Sequence, residues 1–181
     1  MIYVGLLRGI NVGGNNKVEM KKLKTTFESL GFTNVITHIN SGNIIFESNS
    51  IQQGNITAKI EKAIKNDFQL DLNVLVKDIN SIVRIFENLP ATWVKDKTMR
   101  TDVMFLWEKF DFPEVIEKLR TNPVDNIKYV PGALLWNVEG ENYSKSGMLN
   151  LMGTDLYRNM TIRNVNTFRK IHQIMMDLNN R

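Results

Sequence analysis

Val35-Ile36-Thr37-His38-Ile39-Asn40-Ser41-Gly42-Asn43-Ile44-Ile45-Phe46-Glu47 decides the fold class. β-branched and aromatic residues flank Ser41-Gly42-Asn43, so Val35 to Asn40 and Ile44 to Glu47 read as two strands around a turn. A hairpin makes its two strands antiparallel neighbours, which a doubly wound parallel sheet does not contain. Upstream, Ile2 to Leu7 reads as a strand. Met20, Leu23, Phe27 and Leu30 then recur at helical spacing, with Gly31 as the C-terminal cap. Downstream, Ile56, Ile60, Ile64 and Phe68 share a helix face, and Leu72 to Val76 is the next strand. Asp78 fits the N-cap of a third helix carrying Ile79, Ile82, Val83, Phe86 and Leu89. The order is strand, helix, strand, strand, helix, strand.

Much of that order returns. Pro90 to Thr101 lacks periodicity and reads as a connection, and Asp102 to Trp107 opens the second half as a strand. Asp111-Phe112-Pro113-Glu114 predicts a helix start, with Asp111 as N-cap and a proline in the first turn. Its buried face is Val115, Ile116 and Leu119. Ile127 to Val130 and Leu134 to Val138 form a second hairpin around Pro131-Gly132. A short helix near Met148 to Met152 is inserted before an extended piece at Thr161. The final helix buries Phe168, Ile171, Met175 and Leu178. The expected fold is therefore α+β, with two ferredoxin-like (βαββαβ) halves, the second holding an inserted short helix. The first half is placed at 1–89, the connection at 90–101 and the second half at 102–181.

The 181 residues, 43% of them hydrophobic and 23% charged, suffice for a packed core and exclude a disordered chain. Net charge is +4 with a pI near 9.3, and the Lys and Arg residues are scattered, which suits an anionic partner better than a basic stripe for nucleic acid. Cysteine is absent, which removes disulfides, thiolate nucleophiles and iron–sulfur clusters. The N-terminal apolar run is interrupted by Arg8, and no stretch reaches the ~20 apolar residues of a membrane span. The expectation is a cytoplasmic protein with no cofactor.

In a βαββαβ half the first two strands run parallel, so the loop after the first and the turn after the second lie at one sheet edge. That places Arg8-Gly9-Ile10-Asn11-Val12-Gly13-Gly14-Asn15-Asn16-Lys17 beside Ser41-Gly42-Asn43. The second half adds Ser144-Lys145-Ser146-Gly147 and Thr161-Ile162-Arg163-Asn164-Val165-Asn166-Thr167. Each of three expected helix starts carries a cation, Lys17, Lys145 or Arg163, and a helix N-terminus favours anions. The candidate ligand-binding set is Arg8, Asn11, Gly13, Gly14, Lys17, Ser41, Asn43, Ser144, Lys145, Arg163, Asn164, Asn166 and Thr167. Structural readings compete at each position. Gly13-Gly14 also suits a tight turn, Ser41 to Asn43 a hairpin turn, and Ser144, Ser146, Asn164 and Asn166 helix caps. Arg8 and Arg163 also suit ion pairs joining the halves.

Established chemistries find little support. Gly9 and Gly14 have the outer spacing of a phosphate loop, but Asn15-Asn16 stand where Lys and Ser/Thr are needed. The two histidines, His38 and His172, lack a partner at ligand spacing, so no metal is expected. No nucleophile elbow or acidic cluster points to hydrolysis or two-metal chemistry. Trp93, Trp107 and Trp136 are not interleaved with basic residues as a base-stacking row would be.

Leu6-Leu7-Arg8-Gly9-Ile10-Asn11-Val12-Gly13-Gly14, with Met20 and Leu23, then Ser41-Gly42-Asn43-Ile44-Ile45-Phe46, Ser144-Lys145 and Arg163-Asn164-Val165-Asn166-Thr167 resemble the bacterial domain-of-unknown-function family DUF1697. The resemblance spans nearly the whole chain and implies an α+β fold with an internal βαββαβ duplication, without implying an activity. The family often has tryptophan where Val165 stands. The functional expectation is a binding protein or enzyme for a small anionic, phosphate-bearing or nucleotide-like ligand at a polar site between the halves. A nucleic-acid-binding module is the alternative, although neither half shows paired stacking aromatics. The third reading is that the motifs only lock the halves together.

Overall fold

The computed structural model describes residues 1–49 and 53–181. It holds two four-stranded sheets in which every neighbouring pair is antiparallel. In chain order the elements are β1 (Ile2–Leu7), α1 (Met20–Ser29), β2 (Thr33–His38), β3 (Asn43–Glu47), α2 (Gln53–Phe68), β4 (Val74–Asp78) and α3 (Ile79–Asn88). They continue with β5 (Met99–Leu106), β6 (Asn126–Val130), β7 (Ala133–Glu139), α4 (Asp155–Arg158), β8 (Met160–Asn164) and α5 (Val165–Asn179). The fold is mixed α+β. The sheets run β2-β3-β1-β4 and β6-β7-β5-β8, so each places its first strand between its third and its last.

The chain divides into two compact units. Unit 1 comprises Met1–Asn80 and Ile171–Arg181, and unit 2 comprises Ser81–Lys170. In unit 1, alternation along β1 sends Tyr3 and Leu7 into a core with Leu23 and Phe27 of α1 and Ile56, Ile60 and Ile64 of α2. The alternate residues, Ile2, Val4 and Leu6, are buried as well, so this strand has no solvent-facing side. Phe27, Phe32 and Phe46 meet ring to ring at the centre of that core.

Unit 2 keeps the hairpin expected around Pro131-Gly132, as β6 and β7. On one face of its sheet, Met104, Leu106, Leu134, Trp136 and Met160 pack with Phe110, Val115, Leu151 and Leu156. On the other, Phe105 packs edge-on to Phe168 of α5, whose ring also approaches Phe86 of α3.

The helix expected from Asp111 is corrected by the structure. Glu108–Phe110 and Pro113–Lys118 are short 3-10 turns, and Phe112, not Asp111, precedes the second. The Asp111 carboxylate accepts instead from the Gly132 backbone N–H at 2.7 Å and the Tyr129 hydroxyl at 3.0 Å. A carboxylate spent on the hairpin cannot cap a helix, and the six-residue run that follows is too short to sustain one unaided. The inserted helix near Met148 to Met152 is likewise a 3-10 turn, Gly147–Asn150, and the α-helical turn lies later, at α4. Among the described residues no helix is long and apolar enough to cross a membrane.

Candidate functional site

In unit 1 the two polar segments meet. The Leu7 N–H donates to the Gly42 carbonyl at 2.9 Å, and the Asn11 amide donates to the Asn40 carbonyl at 2.8 Å. Asn11 has the left-handed backbone (φ 53°) that Asn tolerates better than most side chains. Its amide nitrogen also donates to the Val18 carbonyl at 3.0 Å, while its oxygen accepts from the Val18 N–H at 2.9 Å. Those bonds use both amide hydrogens, so Asn11 braces the loop. Val12 and Asn15 pair across Gly13-Gly14, with the Asn15 N–H on the Val12 carbonyl at 3.0 Å. Gly13 (φ 57°) and Gly14 (φ 80°) thereby make a tight turn of the kind that needs two positive φ angles.

Asn43 is fully buried, and its amide donates to the His38 carbonyl and the Ser41 hydroxyl, both at 3.0 Å. It holds the hairpin turn and offers no remaining donor. Arg8 is half-buried at the end of β1, and Lys17 is exposed. Lys17, Gly14, Asn11 and Asn40 line an open depression of about 440 Å³, together with Glu19 and Met20 where α1 begins.

In unit 2 Arg163 is buried on β8, opposite Val103 of β5. It donates to the Thr161 hydroxyl and the Ile162 carbonyl, both at 2.9 Å, and burial pulls its guanidinium down to about 10. It stays charged at neutral pH, held within the strand and 7% exposed. The Asn164 side chain accepts from the Thr167 N–H at 3.0 Å, which caps α5, and the Asn166 amide donates to the Lys95 carbonyl. Ser144 and Lys145 are exposed, and the Lys145 carbonyl accepts from Asn122.

Asp125 was not among the sequence candidates. Its carboxylate accepts from the Ser146 hydroxyl, the Trp136 indole N–H and the backbone N–H groups of Asn122 and Gly147. Burial alone pushes that carboxyl up, but the four donors, Ser146 first, hold it below the usual carboxylate range. The signal available in the sequence was only an Asp two residues beyond Pro123. Nothing local shows that the indole of Trp136 and the backbone of the more distant Gly147 converge on it.

The family described as a protein of unknown function, DUF1697, matches residues 1–135. The chain belongs to the DUF1697 family. The stretch matched by DUF1697 holds Arg8 to Lys17, Ser41 to Asn43 and Asp125, while Lys145 and Arg163 lie beyond it. The chain is also similar to the solved structure of a conserved bacterial protein from Streptococcus pneumoniae, at 34% identity and a TM-score of 0.83. That likeness covers 96% of this chain and 98% of the other. A search of curated proteins found no match. Among the described residues of this DUF1697 chain, no group of three or more His, Asp or Glu side chains could hold a metal ion.

Proposed function

We propose that the chain binds a small anionic ligand, phosphate-bearing or nucleotide-like, at the Arg8–Lys17 loop of unit 1. The observation that carries this reading is the Lys17 ammonium beside a depression of about 440 Å³ whose wall is braced by Asn11. A loop already fixed by its own hydrogen bonds loses little entropy when a ligand arrives. Lys17 has no ion pair or hydrogen bond among the described residues, so its charge is available to a phosphate or carboxylate. Gly14 keeps that wall low, since a Cβ there would meet nothing within 4 Å. Arg8 adds positive charge at the base of the loop. Should a reaction follow binding, stabilisation of developing negative charge is the chemistry these groups can supply.

The shared strand order of the two sheets also supports reading the halves as ferredoxin-like repeats of one βαββαβ pattern. Sheets of that kind present RNA-facing surfaces in other proteins, which keeps nucleic acid as the second ligand class.

Thermal shift of the full chain against inorganic phosphate, sugar phosphates and nucleotides tests the reading. A saturable rise in Tm with at least one phosphate compound, lost in Lys17→Ala, is expected. No response to any anion, or an undiminished response in Lys17→Ala, overturns it. Retention on single-stranded RNA that falls steeply with salt would favour the nucleic-acid reading instead.

A further inference from the structure

A larger cleft lies within unit 2, and none of the candidate ligand-binding residues lines it. Its volume is about 520 Å³, inside the ~300–1,000 Å³ typical of small-molecule sites. The end of the Pro113–Lys118 turn forms one wall, and the Gly147–Leu156 segment forms the other.

The floor is apolar, from Leu119, Leu151 and Leu156, the last two each 5% exposed. The rim is cationic and polar, from Lys118, Arg120 and Asn150. None of these three makes a side-chain hydrogen bond or ion pair among the described residues. Lys118 lies only loosely over the Phe112 ring, at 6.0 Å. No acid lines the cleft. Of the acids adjacent in sequence to its lining, Glu117 is exposed on the Pro113–Lys118 turn, and Asp155 is held by Lys109 at 2.6 Å and Arg158 at 3.9 Å.

Met152, 72% exposed, lines the same opening. An unbranched thioether can fold over an apolar guest of uncertain shape.

The two walls are fixed to each other. A Cβ on Gly147 would stand 1.9 Å from the Arg120 carbonyl oxygen, so the backbones are in direct contact there. Asp125 bonds Gly147 and Ser146 on one side and Asn122 on the other. This explains why the Ser146-Gly147 pair in the polar motif is a small residue followed by one with no side chain. Of that motif only Gly147 lines the cleft, and it brings backbone and no side chain.

We infer that this cleft binds a small organic anion, a carboxylate or phosphate monoester carrying an apolar body that lies on Leu119, Leu151 and Leu156 while Lys118 and Arg120 take the charge. Two cations above a floor of leucines, two of them buried and Leu119 half-buried, discriminate against both a bare ion and an apolar cation. The site is separate from the Lys17 depression and does not depend on it.

Fluorescence titration of the full chain with 1-anilinonaphthalene-8-sulfonate, an aromatic anion, at about 0.1 M salt tests this. One saturable site is expected, displaced by phenyl phosphate and far less by inorganic phosphate or phenethylammonium. The double variant Lys118→Gln, Arg120→Gln, both at exposed positions, should weaken binding about tenfold or more. Lys17→Gln should leave it unchanged, which separates this site from the unit 1 proposal. Absence of saturable binding, wild-type affinity in the double variant, or equal displacement by phenethylammonium overturns the inference. If the double variant does not fold, backbone amide shifts in the wild-type chain decide. Phenyl phosphate should move Gly147 and Gly153, and shifts confined to Gly13 and Gly14 would sink the idea.

Discussion

Gly147 and Gly13 are both glycines in polar motifs, yet the backbone asks different things of them. At Gly147 an added Cβ meets the Arg120 carbonyl oxygen at 1.9 Å, and a carbonyl in a fixed wall cannot swing aside as a side chain can. Gly147→Ala should therefore cost about 3 kcal/mol or more in urea unfolding. Gly13 has open space around it and only a left-handed φ of 57°, so Gly13→Ala should cost about 1 kcal/mol. Equal losses would contradict the close wall-to-wall contact. Two aspartates in unit 2 make an opposed pair. Asp125 is held below the usual carboxylate range, with burial outweighed by donors from Ser146, Asn122, Gly147 and Trp136. Its stabilising contribution is present above the unfolded pKa of about 3.9 and disappears as pH falls through the folded value. Asp125→Asn should lose about 1–3 kcal/mol at neutral pH, and the deficit should shrink in acid. Asp102, on β5, is pushed up by burial against the pull of Arg100 and Lys95. Its contribution is therefore full below about pH 4 and is lost as pH rises through the folded value. Asp102→Asn should raise Tm at neutral pH and have no effect in acid. A Tm series from about pH 3 to 8 on both variants checks both signs; parallel curves would show that neither carboxyl is perturbed as described.

At the scale of elements, the Asp111 bridge decides what its segment becomes. Its carboxylate ties the turn before Pro113 to the β6–β7 hairpin through Gly132 and Tyr129. Burial first, and then the bond to Asp111, push the Tyr129 phenol up to about 12. A tyrosine raised in the folded state stabilises below its unfolded pKa of about 10, and that stability is lost as pH rises toward the folded value. Asp111→Asn should bring Tyr129 ionisation down in ultraviolet titration and weaken the hairpin by about 1–3 kcal/mol. An unmoved tyrosine would show the bond to be dispensable. The same carboxylate marks the limit of what this stretch of sequence discloses. Asp-Phe-Pro-Glu is a sound local helix start, and it misleads because a hairpin some twenty residues away (roughly) takes the capping oxygen. The hairpins themselves were legible, because Ser41-Gly42-Asn43 and Pro131-Gly132 break runs of β-branched and apolar residues. So were α1, α2 and α5, whose buried faces Leu23 and Phe27, Ile60 and Ile64, and Ile171 and Met175 recur at helical spacing. In the candidate site the sequence located the contact between the Arg8–Lys17 loop and the hairpin turn. It did not disclose that Asn11 and Asn43 spend both amide hydrogens within the protein, because an Asn bracing backbone and an Asn awaiting a ligand are the same letter. Asp125 was illegible for the reverse reason, since its partners assemble only in three dimensions.

At the scale of the whole molecule, the first unit is not continuous in sequence. It takes Met1–Asn80 and then Ile171–Arg181, so it remains incomplete until the last residues of the chain are available. Ile171 and Met175 are fully buried there, and Leu178 is 5% exposed. Removing a buried Ile, Met or Leu side chain costs about 2–5 kcal/mol, and a whole domain has only about 5–15 kcal/mol in hand. Losing three such residues together with their helical backbone therefore approaches the entire stability of the unit. A chain ending at Lys170 should lose unit 1 first, with β1, β3 and β4 becoming open to proteolysis. The elements complete within Ser81–Lys170, β5 to β8 among them, should hold out longer. A synthetic peptide of residues 165–181 added in trans should restore protection to β1, because it returns the missing apolar face without the covalent link. Limited proteolysis with mass mapping, run on the full chain, the shortened chain and the shortened chain with peptide, reads all three states. Equal protection of β1 in the full and shortened chains would mean that Met1–Asn80 carries a sufficient core alone, and the discontinuous unit would then be a matter of contact and not of stability.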